Sequence, residues 1–218
     1  MKGFEVKKVF VDFEMNPVAR QNREVRQACR SEIIEIGAVM LDEDNEVVKS
    51  YREYVLPAYN DRVTEKIKEL TGIDYSMLEG SDQLAPALEK FLEWCGPDCT
   101  VYSWSTSDSK QLKAECRVKG ISLDGRLGEL LATWIDFQKE FGDLCHLTKS
   151  VSLDKAVEIA GLDFSGAAHD AATDALNTAY LYRITKDDEA FARIRRILDD
   201  AFSEHSFSMG DLFDFSSL

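Results

Sequence analysis

Two carboxylates lie close together in an otherwise apolar stretch near the start of the chain. Asp12 and Glu14 belong to the segment V-F-V-D-F-E-M-N-P, residues 9–17, whose apolar, β-branched residues predict a buried strand. Alternate side chains of a strand point to the same face, so the two carboxylates share a face. Unpaired charges beside a buried strand are costly, and a divalent cation would offset them. Taken alone, the segment also fits a strand that ends in solvent at Asn16-Pro17.

A second group of chemically active residues lies in the segment G-A-A-H-D-A-A-T-D-A, residues 166–175. Inside one helix, five residues correspond to about 500 degrees of rotation, so His169 and Asp174 would face different directions. They converge only if His169 precedes the helix, Asp170 caps it and Asp174 lies one turn in. A surface histidine beside a capping aspartate is the alternative. Asp108, in W-S-T-S-D-S-K, is equally open, because Ser107-Asp108 also fits a helix start.

The hydrophobic pattern predicts an α/β fold with a mixed five-stranded sheet flanked by helices. An acidic turn at 42–45 joins the second and third strands as an antiparallel hairpin. The predicted strands are 9–11, 33–40, 47–55, 100–104 and 130–137. The predicted helices are 62–71, 82–94, one that carries Asp108 and Leu112, 152–160, 170–184 and 188–202. This organisation predicts one domain over residues 1–202, followed by a tail at 203–218 that is docked or mobile.

Composition limits the classes of protein to consider. The 218 residues are 44% hydrophobic, and no apolar run approaches the roughly 20 residues of a membrane helix. The first residues do not resemble a secretion signal, so we expect a cytoplasmic protein with no membrane partner. Five cysteines without a C-x-x-C pair indicate neither a disulfide framework nor a zinc site.

Net charge argues against broad attachment to nucleic acid. The chain carries a formal charge of -14, whereas nucleic-acid surfaces are normally rich in lysine and arginine. Bound divalent cations would supply positive charge locally. The segment from Asn16 to Ser31 is a basic exception and contains Arg20, Arg23, Arg26 and Arg30. These arginines are candidates for contacting a phosphate backbone, although a solvated loop or helix face explains them equally well.

Together, V-D-F-E, W-S-T-S-D-S-K-Q-L and H-D-A-A-T-D-A resemble the motifs of the DEDDh family of 3′-to-5′ exonucleases in the ribonuclease-H-like superfamily. The resemblance covers roughly residues 5 to 185. S-E-I-I-E-I-G-A-V and L-T-G-I support it. The V-D-F-E-M form looks most like the subgroup that contains the eukaryotic exonuclease trimming histone messenger RNA and small RNAs, together with its bacterial relatives.

The resemblance implies a set of roles. Two Mg²⁺ ions, or Mn²⁺, would be held by Asp12, Glu14, Asp108 and Asp174, and His169 would be the general base. The reaction would release nucleoside 5′-monophosphates one at a time from the 3′ end of RNA or single-stranded DNA. The terminal nucleotide would be bordered by Met15, Leu70, Thr71 and Ile73, of which Met15 and Ile73 also fit an ordinary core.

Two other functions remain open from the sequence. A regulatory or binding protein could keep this fold without turnover, although the complete set of acids and histidine favours an enzyme. A polymerase proofreading subunit is the other alternative, with the tail as a docking element. The acidity favours short substrates or a protein partner that supplies the grip. RNA or DNA preference and oligomeric state are not encoded in these motifs.

Overall fold

The computed structural model describes residues 7–164, 166 and 169–203. Apart from Ser203, the C-terminal tail predicted at 203–218 lies outside the described residues. None of the helices in the described part of the chain is long and apolar enough to cross a bilayer.

A mixed five-stranded sheet forms the centre of the fold and confirms the predicted α/β class. Its strands are β1 (Lys7–Pro17), β2 (Ser31–Leu41), β3 (Val47–Tyr54), β4 (Cys99–Ser103) and β5 (Trp134–Asp136). They lie in the order β3-β2-β1-β4-β5. The β1–β2 and β2–β3 pairs are antiparallel, whereas β1–β4 and β4–β5 are parallel. The parallel pairs require crossover connections, and the intervening helices provide them.

Helices cover both faces of this sheet. They are α1 (Arg23–Ala28), α2 (Glu65–Thr71), α3 (Tyr75–Leu78), α4 (Leu84–Cys95), α5 (Thr106–Lys119), α6 (Gly125–Ala132), α7 (Phe137–Leu144), α8 (Leu153–Ile159), α9 (Ala171–Thr185) and α10 (Asp188–Ser203). Val9, Val11 and Phe13 of β1 pack in one core with α4, α5 and α6. Phe10 packs on the other face with residues of α7, α8 and α9. Because side chains alternate along β1, Asp12 and Glu14 point toward the α9 side.

The first strand extends further than its sequence suggests. The prediction that Asn16-Pro17 breaks β1 is wrong, because both residues still pair with β2, opposite Glu32 and Ser31. The Asn16 amide is fully buried yet satisfied: it donates to the Arg62 carbonyl at 3.1 Å and accepts from the Thr64 amide at 3.0 Å. A buried polar side chain with both bonds made does not end a strand.

The predicted fifth strand at 130–137 is mostly wrong. Only Trp134–Asp136 is strand, because Leu127 and Leu130 are buried at helical spacing on α6 and carry that helix to Ala132. On the other side, the Asp136 carboxylate accepts from the Lys139 amide at 3.1 Å and starts α7. Helices α3, α6 and α7 were not predicted, and at α1 the sequence left a loop or a helix open.

Helix α9 touches the sheet at Gly37 of β2. A Cβ on Gly37 would lie 2.1 Å from the Ala171 carbonyl carbon and 2.1 Å from the Ala172 amide nitrogen. Gly37 pairs directly with Asp12 on one side and with Arg52 on the other. The missing side chain therefore lets the first turn of α9 lie against the strand that carries the acids.

We predict that Gly37→Ala destabilises the fold by at least about 1–3 kcal/mol, because the methyl group meets backbone that cannot rotate away. Gly142→Ala, in α7, is the matched control: its Cβ would meet nothing within 4 Å. That control should be stabilising by up to ~1 kcal/mol through helix propensity. Urea unfolding measures both, and equal stability of the two variants would contradict the close approach of α9.

Candidate active site

The candidate site lies where two parallel strands part. β1 pairs with β4 only as far as Phe10, opposite Tyr102, and continues alone on that side. Asp12 and Glu14 follow immediately on β1, and the chain after β4 leads into α5, whose first turn carries Asp108. The carboxyl ends of parallel strands are the usual place for a ligand crevice in an open α/β sheet. Helix α9 closes this crevice from one face by packing on β1 and β2.

Burial and mutual repulsion act on the two carboxyls of β1. Burial raises the pKa of Glu14 to about 8, and repulsion from Asp174 and Glu35 adds to the rise. Burial also raises the pKa of Asp12 well above its usual range, followed by repulsion from Asp108 and Asp174. The protein therefore holds these acids in a place where their charged forms lack compensation.

Asp108 joins this pair from α5. The Ser105 hydroxyl caps that helix by accepting from the Ser107 amide at 3.2 Å. Asp108 is 3% exposed, and burial raises its pKa to about 7. Hydrogen bonds from the Phe13 amide and from the Ser107 hydroxyl hold the pKa lower than burial alone would. The Phe13 bond ties Asp108 directly to the strand segment between Asp12 and Glu14.

The histidine segment has the arrangement that the helical geometry requires. His169 precedes α9 in the left-handed region, with φ of 62°, and its amide donates to Asp174 Oδ2 at 3.3 Å. Asp170 caps the helix by accepting from the Thr173 amide at 2.9 Å. Burial raises the pKa of Asp174 to about 7. The predicted loop position of His169 and the capping role of Asp170 are confirmed.

Oxygen and nitrogen atoms of three candidate residues meet within a metal-sized space. One ligand atom from each of Glu14, His169 and Asp174 lies within 4.8 Å of the other two. The carboxylate Oδ1 of Asp174 is buried without a hydrogen-bond partner among the described residues. Carboxylate oxygens in this number suit Mg²⁺ or Mn²⁺. The carboxylates of Glu14 and Asp174 therefore fit divalent cations. The imidazole of His169 lies beside them, where it can act as a base or as a ligand.

The sequence interpretation missed two charged residues of this region. Glu35 lies opposite Glu14 in the β1–β2 ladder, is 2% exposed, and is also subject to a raised pKa from burial. Its Oε1 lies 3.2 Å from Nε of Arg52 on β3. A glutamate inside the apolar run I-I-E-I-G-A-V was the signal that could have identified it. Arg52 gave no comparable signal, because its exposed strand also carries Lys49 and Glu53.

The residues predicted to border the substrate are distributed over several surroundings. Met15 packs partly buried against the core on the α4 side, and Ile73 is 2% exposed in a small cluster with Ile34. Leu70 is 43% exposed at the end of α2, which packs on β1. The neighbouring Thr71 hydroxyl accepts from the Ile73 amide at 3.0 Å. Their contacts with a nucleotide stay predictions, as do those of the exposed Arg20 and Arg23.

Comparison with known proteins connects this geometry to a family. A family model described as "Exonuclease" matches residues 9–182, a range that contains every candidate catalytic residue. The chain is 26% identical over 158 residues to 3′-5′ exoribonuclease 1 of Rattus norvegicus, which covers 68% of this chain and 45% of that protein. It is 28% identical over 162 residues to the probable 3′-5′ exonuclease KapD of Bacillus subtilis, covering 73% of this chain and 76% of the relative. The chain thus spans less than half of the rat protein.

A solved structure shares the fold. The nuclease domain of 3′hExo, described as a DEDDh family member bound to rAMP, superposes with a TM-score of 0.73 at 22% identity. The match covers 88% of this chain and 96% of that domain. The ribonuclease-H-like arrangement predicted from the motifs is therefore confirmed.

We predict that, without divalent cations, the free energy of unfolding falls as the pH rises from about 5 to about 8. Folded-state pKa values of about 7 for Asp108 and Asp174, and about 8 for Glu14, exceed ordinary carboxyl values. Folding thus takes up protons, so the stabilisation is complete at low pH and is lost as the pH rises through the folded-state values. Urea unfolding in EDTA at a series of pH values measures the slope.

Two comparisons make this pH test specific. Asp174→Asn should flatten the slope, whereas Asp44→Asn, an exposed carboxylate on the β2–β3 turn, should leave it unchanged. Saturating Mg²⁺ should stabilise the protein most at the high-pH end, because it binds the ionised acids. An identical slope in all three proteins would contradict the crowding of these carboxyls.

Proposed function

This chain belongs to the exonuclease family, and from that membership we propose that it is a metal-dependent 3′-to-5′ exonuclease. It hydrolyses the terminal phosphodiester of RNA or single-stranded DNA and releases nucleoside 5′-monophosphates. The observation that carries the proposal is the meeting of Glu14, Asp174 and His169 within 4.8 Å, where β1 and β4 part and where Asp12 and Asp108 are near enough to repel one another. Acids held there with raised pKa values have a use if they bind cations at a reaction centre.

In this proposal the protein's groups divide the chemistry between them. Asp12, Glu14, Asp108 and Asp174 hold the divalent cations, which when bound stabilise the negative charge that develops on the phosphodiester oxygens. His169 accepts the proton of the attacking water. Glu14 and Asp174, each within 4.8 Å of the ring nitrogen, stabilise the positive charge that the imidazole then carries. Exposure of His169 gives water and the phosphodiester access from solvent.

Nucleotide recognition would come from the residues around this centre. The solved relative bound to rAMP supports a pocket for one nucleotide, and Leu70, exposed on α2, offers an apolar surface for a base. Met15, Thr71 and Ile73 complete the proposed border. Arg20 and Arg23 are exposed, and within the described part of the chain they form no ion pair, which leaves them available to phosphates.

The finer assignments belong to the same proposal. Mg²⁺ is the proposed ion, with Mn²⁺ as a substitute, because oxygen ligands in this number suit both. A cytoplasmic location stays a prediction from the sequence. So does a protein partner that would supply grip to an acidic chain with net charge -14.

We predict that His169→Asn lowers turnover by about 10²- to 10⁴-fold, the usual contribution of a general base. Asparagine tolerates the left-handed backbone, so the loop should keep its conformation. His146→Asn is the matched control, because His146 also has a positive φ, of 55°, and lies after α7. Release of nucleoside monophosphates from 5′-end-labelled RNA, single-stranded DNA and duplex DNA measures turnover with Mg²⁺, Mn²⁺ or EDTA.

The same assay tests the metal requirement. Wild-type protein and His146→Asn should shorten the labelled strands from their 3′ ends with Mg²⁺ or Mn²⁺ and not with EDTA. Asp12→Asn should be inactive with either ion. Turnover by His169→Asn equal to that of the control would overturn the base assignment. A wild-type protein that binds single strands without shortening them would favour the silent binding protein.

The arginine segment supports a separate prediction. Neutralising Arg20, Arg23 and Arg26 together should weaken binding of single strands and reduce the steepness of its salt dependence, by about 0.7 in log–log slope for each phosphate that an arginine no longer neutralises. Fluorescence anisotropy in the His169→Asn background measures binding without degradation. Neutralising Lys49, Lys139 and Arg193, exposed cations on β3, α7 and α10, is the charge-matched control. An equal salt dependence of binding in both triple variants would show that these arginines are only solvated and do not contact the phosphates.

A further inference from the structure

Three charged side chains from three elements form a chain beside the candidate site. Nε of Arg52 on β3 lies 3.2 Å from Glu35 Oε1 on β2, an ion pair in which that oxygen accepts no hydrogen bond from the described residues. The Nη2 atom of the same guanidinium binds both carboxylate oxygens of Asp170, the N-cap of α9. Arg52 thus joins a strand of the sheet to the start of the helix that follows His169.

The sheet register explains how one arginine reaches both acids. Arg52 pairs with Gly37, which pairs with Asp12, so the three lie in one cross-strand row. Ala171 rests on Gly37, where no side chain intervenes. Asp170 therefore lies above β2, close enough to β3 for Arg52 to bind it. In addition, the Ala171 amide points at Glu35 Oε2, at 3.4 Å.

Asp170 is a junction between this ion pair and His169. Its carboxylate accepts from the Thr173 amide at 2.9 Å and also binds Arg52. His169, directly before it, has a φ of 62°, which costs free energy in a residue other than glycine and so needs support from its surroundings. The bond from the His169 amide to Asp174 holds one side of this turn, at 3.3 Å. Arg52 holds the other side through Asp170.

Arg52 offsets the repulsion between Asp170 and the acids of the sheet. Asp170 carries the same sign of charge as Glu14 and Glu35, and repulsion from Asp170 contributes to the raised pKa of both. Without a cation between them, repulsion would push the start of α9 away from the sheet, and His169 would move with it. Arg52 opposes this, because its planar guanidinium can bind two carboxylates at once.

We propose that Arg52 is a positioning residue, which by binding Glu35 and Asp170 together holds the His169 turn against the acidic cluster. The role deepens the proposed exonuclease function and rests on it. Arg52 acts through Asp170 and not on the substrate, because its Nε and Nη2 atoms already contact the carboxylates of Glu35 and Asp170. Its side chain is still 44% exposed, so substrate contact is the competing outcome that the test must exclude.

Steady-state kinetics separate positioning from substrate binding. Arg52→Gln should lower kcat by about 10- to 100-fold, the scale of a misplaced catalytic group, with KM changed by less than about twofold. Asp170→Asn should have an effect of the same order, because asparagine keeps the helix cap but loses the charge and one of the two oxygens that bind Arg52. The double variant should be no slower than the slower single variant, since both substitutions break the same contact, that between Arg52 and Asp170. Arg52→Lys should recover activity in part.

Lys90→Gln, on α4, is the matched control, because it removes an exposed ion pair with Glu53 on the same strand as Arg52. Lys90 binds Glu53, the neighbour of Arg52, at 2.6 Å, and Asp82 at 2.9 Å, away from the acids. It should keep wild-type kcat and KM. A raised KM with unchanged kcat in Arg52→Gln would assign Arg52 to the substrate. The proposal would also be overturned if the losses of kcat in Arg52→Gln and Asp170→Asn multiplied in the double variant. A kcat of Arg52→Gln equal to that of Lys90→Gln would overturn it as well.

Backbone amide hydrogen exchange in EDTA tests the same inference without catalysis. Arg52→Gln should speed exchange at residues 171–174 by at least about tenfold while the amides of α5 keep their rates, and Lys90→Gln should change neither. Unchanged exchange at 171–174 in Arg52→Gln would overturn the positioning role. If the wild-type protein proves to lack nuclease activity, the proposed function fails, whereas this exchange result still decides whether Arg52 holds the turn.

Discussion

Repulsion between buried carboxylates is the constraint on which the rest of this structure depends. Repulsion from Asp108, Asp174, Glu14 and Glu35 adds to the raised pKa of Asp12, and repulsion from Asp174, Glu35 and Asp108 adds to that of Glu14. Such a group opposes folding unless its members are fixed by contacts stronger than their repulsion. The apolar cores on both faces of β1 provide that fixation, since Phe13 on one side and Phe10 on the other are 4% and 0% exposed. The acids occupy a strand whose other residues cannot leave the core.

The same constraint explains the local departures from regular structure. Gly37 removes a side chain where α9 must touch β2, and the close approach brings Asp174 to the acids of β1. A register shift between Glu14 and Met15 leaves Ile34 unmatched on β2 and keeps Glu35 opposite Glu14. The left-handed His169 turns the chain sharply into α9. Each irregularity lies within a few residues of an acid and serves the geometry of the cluster.

The sequence predicted those parts of the site that follow from local periodicity. Strand alternation placed Asp12 and Glu14 on one face, and helical rotation required His169 to precede α9; the structure agrees with both. It could not predict where β1 ends, because the bonds that keep Asn16 in the strand come from residues 62 and 64. Nor could it predict the Arg52–Asp170 contact, which joins residues far apart in the chain through a sheet register and the shape of Gly37. The role of Leu70 depends on a bound nucleotide, so the L-T-G-I motif and the exposure of the side chain support it only indirectly.

Charge compensation links the local site to the acidity of the whole chain. Of Asp170 and the five acids of the cluster, only Glu35 and Asp170 pair with a cationic side chain among the described residues, and that cation is the guanidinium of Arg52. When all are ionised, one cationic side chain leaves most of this negative charge uncompensated, and two divalent cations would nearly cancel the remainder. A second arginine in the crevice would compete with those ions for the same oxygens. Arg52 avoids this competition because it binds Glu35 and Asp170, which flank the proposed ligands, and so it neutralises the rim while the ligand oxygens stay accessible.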